Sequence, residues 1–152
     1  MCIFKLVYGT CLTALRRLFM EIHPSWKNQP SDSAAMDKGK MILSKPENVL
    51  FSTGNIEQWD FSLLTTVLLY SKRCSIEVGK RENYEVSIRS LKESRNKLIG
   101  HPRSDKMSND DFNFYWPKIT GCLKVLGVDE HEIENVLSGN NNINIFYFQR
   151  EL

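Results

Sequence analysis

The chain lacks the usual signatures of a metal or disulfide scaffold. Its 152 residues include only four cysteines, Cys2, Cys11, Cys74 and Cys122. They form no C-x-x-C pair and no Cys/His cluster at zinc-site spacing. Structural zinc and a disulfide framework are therefore disfavoured, and each cysteine is expected as a free thiol in or beside a core. Free thiols suit a reducing compartment, so a cytoplasmic location is expected. Long hydrophobic runs are also missing, and none is long enough to span a bilayer. The apolar opening, Ile3 to Leu15, superficially resembles a signal peptide. However, the basic pair Arg16-Arg17 follows the apolar run, and no small-residue cleavage site is evident. No glycine-rich phosphate loop and no recognisable Ser or Cys nucleophile motif occurs, and no cofactor is expected. Charge of one sign is scarce too: the formal net charge is +2. That permits a nucleic-acid partner without arguing for one.

Strand alternation is absent except in the apolar tail, residues 143–148, which would have no sheet to join. What remains is helical periodicity in a composition that is 41% hydrophobic and 25% charged, enough for one domain with a sizeable core. Residues 3–22 read as a first helix with a stripe of Phe4, Tyr8, Leu12, Leu15, Leu18, Phe19 and Ile22, ending at His23-Pro24. Residues 24–33 read as a loop. A short helix is expected from about Ala35 to Leu43, and about one helical turn within Pro46 to Gln58. Lys38, Lys40 and Lys45 form a basic cluster read as a solvated face. From Asp60 runs a helix, which Asp60 or Ser62 can cap, that is apolar nearly all round and should be the most buried; it should end near Lys72-Arg73. A fourth helix covers about Glu82 to Ile99, with Gly100 as its stop. A fifth opens at Ser108, with Asp110 and Asp111 in its first turn, and ends at Gly127; Pro117 inside it should kink or restart it. Asp129 caps a last short helix that precedes Gly139. The expected architecture is an all-α bundle of four or five principal helices plus short ones, over residues 1–139, with a tail at 140–152.

One segment departs from the pattern of its own helix. Tyr84, Ile88, Leu91 and Leu98 fall within roughly 40° of one line at about 100° per residue. Arg95 falls on the same line, so the helix aims a guanidinium where its neighbours aim hydrocarbon. Arginine is rarely buried without a partner, so Arg95 should face a partner, a cleft or a subunit interface. Just beyond lie Gly100, His101 and Pro102. A permanent cation beside a side chain that titrates near neutrality suits phosphate chemistry.

The segment Arg95-Asn96-Lys97-Leu98-Ile99-Gly100-His101 resembles the Arg-x(4–6)-His motif of HEPN domains, including the polar residue that often follows the Arg. Further stretches are similar to one branch of that family, found beside the RING finger of the DAZ-interacting zinc-finger ubiquitin ligase and in invertebrate immune-type receptors. They are residues 14–19 leading to His23-Pro24, residues 59–64 leading to Leu68-Leu69, and Phe112 to Trp116 followed by Leu126-Gly127. The resemblance covers roughly residues 4–138. It implies a helical bundle that often dimerises. In active members the Arg and His of two protomers meet at a shared cleft and cut RNA without metal through the ribose 2′-hydroxyl. Carried over, Arg95 would stabilise the phosphorane charge, His101 would act as general acid or base, and Asn96 would orient one of them. A homodimer and single-stranded RNA are the implied partners, with a role in defence or RNA regulation.

Plainer roles compete at each residue. Arg95 could pair with a buried carboxylate, for instance Asp60, and His101 could simply end a helix. His23 reads as a helix stop. His131, between Glu130 and Glu132, reads as surface rather than a metal ligand. Trp26, Trp59 and Trp116 read as core or loop anchors rather than base-stacking platforms. The lead reading is a metal-independent endoribonuclease, or an RNA binder that keeps the same cleft, and two further readings stand beside it. One is a protein-interaction or dimerisation module in innate-immune or ubiquitin signalling; the other is a structural piece of a larger receptor.

Overall fold

The computed structural model describes residues 6–71, 78–99 and 109–138. The opening residues, the end of the predicted central helix beyond Ser71, the segment 100–108 and the tail lie outside the described residues. The elements are α1 Leu12–Ile22, α2 Pro30–Ala35, α3 Lys45–Ser52, α4 Phe61–Tyr70, α5 Val78–Ile99, α6 Asn109–Val125 and α7 Glu130–Ser138, with a π-helical stretch Leu6–Cys11 ahead of α1. No strand occurs among the described residues, and the fold is all-α, as the periodicity predicts. Contacts divide the chain into two compact units, one within residues 15–85 and one drawn from residues 1–14 and 86–152.

The first unit is built around an aromatic cluster. Leu15, Leu18, Phe19 and Ile22 of α1 are buried. The ring of Phe19 meets Trp26 edge-on at 4.8 Å and Trp59 at 5.4 Å, and Trp59 stacks on Phe51 at 5.5 Å. Each such pair adds about 0.5–1.5 kcal/mol beyond its area burial. Both indoles also satisfy their polar ends: Trp26 Nε1 donates to Gly54 O at 2.8 Å and Trp59 Nε1 to Leu50 O at 3.0 Å. The tryptophans are anchors, as the sequence suggests.

A cation closes the turn that carries Trp59. Arg16 donates from Nε to Ile56 O at 3.1 Å and from Nη2 to Glu57 O at 2.8 Å and Trp59 O at 3.2 Å. Asp60 then caps α4 by accepting from Leu63 N at 2.8 Å. The capped helix is the most buried element, as predicted: Phe61 and residues 63–69 are all buried.

Two local expectations change. The predicted helix at 35–43 is replaced by α2 at Pro30–Ala35. Pro30 occupies its first turn, and Asp32 Oδ2 accepts from Gln29 N at 3.0 Å, closing a capping box with Gln29. These are helix-start signals that a polar, proline-bearing stretch conceals. The second change is at α3, which is longer than one turn: Ser44 and Glu47 form a reciprocal capping box ahead of it. In the first helix the stripe also slips. Cys11 and Ala14 are buried while Leu12 is half-exposed, and a π-helical stretch Leu6–Cys11 precedes the α-helix.

In the second unit Ile88 and Leu91 of α5, Ile119 and Leu123 of α6, and Ile133 and Val136 of α7 are buried. The helix α6 continues through Pro117 without restarting. Asn113, whose carbonyl loses its donor to the proline, is exposed and open to water. Gly127, at φ +91°, ends the helix: Gly127 N donates to Lys124 O and Val128 N to Leu123 O, the paired bonds of a Schellman stop. Asp129 caps α7 by accepting from His131 N at 2.7 Å, as predicted.

Two glycines differ in what they tolerate. Gly54 has φ +67°, and a Cβ there would collide with the backbone carbonyl of Gln29; around Gly121 in α6 nothing lies within 4 Å. Gly54→Ala should therefore cost more than about 2 kcal/mol of unfolding free energy. Gly121→Ala should instead raise it by about 0.5–1 kcal/mol, as relief of a mid-helix glycine. Urea denaturation followed by circular dichroism measures both; equal effects would contradict the packing at Gln29.

Candidate functional site

The end of α5 carries the arginine singled out by the sequence. Ser87, Ile88, Leu91 and Ser94 are buried and Tyr84 and Arg95 half-buried. All six lie within about 60° of Leu91 around the helix axis at 100° per residue. Arg95 thus sits on the buried arc, between Leu91 and Ile88 around the axis, and the serines occupy its other side. The Ser94 hydroxyl is buried and has no hydrogen-bond partner among the described residues. Sequence reasoning missed it, because a serine inside a polar stretch gives no periodic signal.

The guanidinium is held from its own helix. Arg95 Nη1 donates to Asn96 Oδ1 at 3.3 Å, so the structure brings these two predicted site residues together. Glu93, the nearest carboxylate along the helix, pairs with Lys97 at 3.3 Å on the exposed face. An exposed i,i+4 pair of this kind contributes about 0.3–0.5 kcal/mol. Arg95 and Lys97 lie in the last turns of α5, where cations offset the negative end of the helix dipole. His101, with Gly100 and Pro102, lies outside the described residues. Asp60, offered by the sequence as a structural partner for Arg95, is an exposed N-cap engaged with Leu63.

Chemically, this helix end presents one permanent, planar cation beside a neutral amide. That suits a phosphate or phosphorane oxygen pair. Other nucleophile and ligand chemistry is poorly served. Among the described residues no group of three His, Cys, Asp or Glu side chains could hold a metal ion, and no helix is long and apolar enough to cross a membrane. Cys11 and Cys122 are free thiols; Cys11 is buried and Cys122 half-buried. Burial, with a smaller contribution from Cys122, pushes the Cys11 thiol up to about 12. A thiol so raised is not a nucleophile at neutral pH.

His23 is a half-buried titratable group. It borders a cavity of about 190 Å³ with Trp26, Asp32 and Met36, and its Nε2 is buried without a hydrogen-bond partner among the described residues. Its ring rests on Phe19 at 4.6 Å. Asp32 Oδ2 is engaged with the amides of Lys27 and Gln29, and among the described residues no hydrogen bond joins Asp32 to the imidazole. His23 is half-buried and ends α1, the role the sequence assigns it; His131 is exposed, also as read.

A family model described as DZIP3/hRUL138-like HEPN matches residues 22–145. Neither the curated proteins nor the solved structures contain a match.

Two titration experiments follow from the buried groups. Burial lowers the His23 pKa from its ordinary 6.5, so the folded state binds this proton less readily than the unfolded chain. The associated stability is present above about pH 6.5 and is lost as pH falls through the lowered folded value. The melting temperature should drop between about pH 7.5 and pH 5.5, and His23→Phe should flatten that slope. For the thiols, a Cys2→Ser/Cys74→Ser protein should react with a disulfide reagent at Cys122 when native and at Cys11 only after denaturation. Native labelling of Cys11 would contradict its burial.

Proposed function

Since the chain belongs to the DZIP3/hRUL138-like HEPN family, we propose that it is an RNA-directed module whose dimer cuts single-stranded RNA without metal. Support comes from one observation: a half-buried arginine on the core-facing arc of α5, hydrogen-bonded to the asparagine that follows it.

In the proposed reaction the ribose 2′-oxygen attacks the adjacent phosphorus. A base takes the 2′-proton, a phosphorane forms, and the 5′-oxygen leaves with a proton from an acid. The products are a 2′,3′-cyclic phosphate and a 5′-hydroxyl end. Arg95 donates to the nonbridging oxygens as their charge grows; this is a contribution made in the transition state, where it raises the rate. His101 transfers the proton, for which an imidazole near neutrality is suited, and such help is worth about two to four powers of ten. Asn96 holds the guanidinium. One imidazole cannot serve as base and acid in the same step. Two copies of the chain supply both, which is the chemical reason for the homodimer. HEPN domains often dimerise, and a cytoplasmic setting with a role in defence or RNA regulation goes with this reading.

The experiment is cleavage of an end-labelled single-stranded RNA in EDTA by purified protein. Wild type should give cyclic-phosphate ends. Arg95→Ala and His101→Ala should each lose at least about a hundredfold in rate while keeping the native circular dichroism spectrum. Asn96→Ala should lose less, about tenfold, as a positioning residue. Equal cleavage by all four proteins would refute the assignment. An inert, folded, dimeric wild type would reduce the function to binding, which RNA mobility shifts with the same variants would then measure.

A further inference from the structure

The groove between α2 and α3 lies in the unit formed within residues 15–85 and is independent of the Arg95 reading. It is a cavity of about 360 Å³ lined by Pro30, Ser33 and Ala34 on one side and Phe51 and Ser52 on the other, with Lys38 at its end. Its floor is apolar: the Phe51 ring is buried, and the Lys38 ammonium lies 5.7 Å from the ring centroid. Ser33 Oγ, also buried, donates to Phe51 O, so the hydroxyl is satisfied and leaves the floor without an unmet polar demand.

The chain that joins the two helices is basic and carries exposed aliphatic residues. Between residues 38 and 45 stand three lysines and no acid. The neighbouring carboxylates are engaged locally: Asp37 Oδ1 accepts from Gly39 N and Glu47 Oε1 from Ser44 N. The segment is fixed at its base, since Lys40 N donates to Tyr70 O at 3.1 Å and Ser71 Oγ to Asp37 O at 3.0 Å. Yet Ile42 is 89% exposed and Val49 70% exposed, the two most exposed large hydrophobic residues among those described. On α3, Lys45, Val49 and Ser52 fall within about 60° of one another, so the face with the exposed valine reaches the lip of the groove.

We propose that this groove docks an acidic amphipathic segment of a protein partner, seating one of its apolar side chains between Ala34 and Ser52 and its carboxylates on Lys38, Lys40 and Lys45. The chemistry selects the partner. Aliphatic side chains offer no stacking face for nucleobases, and the one aromatic ring is floor rather than platform. A bilayer surface has no protruding side chain to fill a concave site, whereas a helix face does. The lysines meet opposite charge and fix orientation, and the groove supplies apolar burial.

The test is an amide NMR titration of the full chain with a synthetic helix-forming peptide of Glu and Leu. The expected result is shift changes centred on Ala34, Lys38, Val49 and Ser52. Affinity should fall by about tenfold or more in Lys38→Glu/Lys45→Glu and in Ala34→Arg, all at exposed positions that leave the fold intact. A peptide of Lys and Leu should bind the Lys38→Glu/Lys45→Glu protein better than wild type. Failure of the Glu/Leu peptide to bind, binding that the variants do not weaken, or perturbation of the same residues by oligouridine or phosphatidylserine vesicles in preference to the peptide would each overturn the proposal.

Discussion

The unit within residues 15–85 depends on the fan of hydrogen bonds from Arg16 into the turn at 56–59. Three carbonyls, of Ile56, Glu57 and Trp59, converge on one guanidinium. Carbonyls in a turn between two helices have no ladder partners, and leaving one buried without a donor costs about 1–3 kcal/mol. A planar fork with five donors is the side chain suited to meet several at once. With the turn closed, Trp59 is directed into the cluster with Phe19 and Trp26, and Asp60 follows in position to cap α4. From the other side, Asn28 Oδ1 accepts from Ile56 N and Gly54 O accepts from Trp26. The loop after α1 and the loop before α4 are thereby locked to one another. The nearby ion pair of Arg16 with Glu57, at 3.9 Å to an exposed carboxylate, adds little to this.

The contrast with Arg95 is instructive. Both arginines are half-buried on helices that also bury apolar side chains. Arg16 is turned to backbone carbonyls, which are neutral acceptors of fixed number and place, and its chemistry is consumed in holding the chain. Arg95 lies at a helix C-terminus, beside an amide side chain and above a buried serine hydroxyl. There the helix dipole alone would repel an anion. A cation in the last turn reverses that local field, so an anionic substrate at this end depends on Arg95 and Lys97 rather than on the backbone.

Periodicity made α4, α6 and α7 legible, because tertiary burial there follows a 3.6-residue repeat and the caps are side chains with strong preferences, Asp60 and Asp129. It also placed Arg95 on the buried arc of α5. It misread the stretch from Pro24 to Leu43, where α2 is only six residues long: too short to show a repeat, and held by a capping box and by Phe51 rather than by an apolar face. Met41, Ile42 and Leu43 looked like the interior of a helix. They are instead an extended lead into the Ser44 cap, with Ile42 in solvent. In the first stripe Leu12 lies at the edge of the arc formed by Leu15, Leu18, Phe19 and Ile22, and the π-helical stretch ahead of it is one that no amphipathic pattern anticipates. Arg16 was read as a flanking charge, since a bond to residues forty positions away leaves no local trace. At the site, adjacency in sequence made the contact between Arg95 and Asn96 readable. The buried hydroxyl of Ser94 was not, since its environment is set by tertiary packing.

The modest net charge of +2 bears on how RNA would be held in the proposed reaction. A single strand bound through Z phosphate contacts loses affinity with salt at a slope of about −0.7Z. One chain that offers Arg95 and Lys97 at the helix end supplies a Z of about two, which is too few to retain RNA at physiological ionic strength. A two-fold arrangement doubles the cations along one strand and raises the affinity multiplicatively, because the contact free energies add. Charge and acid–base chemistry thus both favour two copies of the chain in the proposed reaction. A single imidazole cannot be both base and acid, and a single helix end cannot hold the strand. A monomeric form of this fold would then be weak in binding and incomplete in catalysis for two unrelated physical reasons, so control of dimerisation would control both.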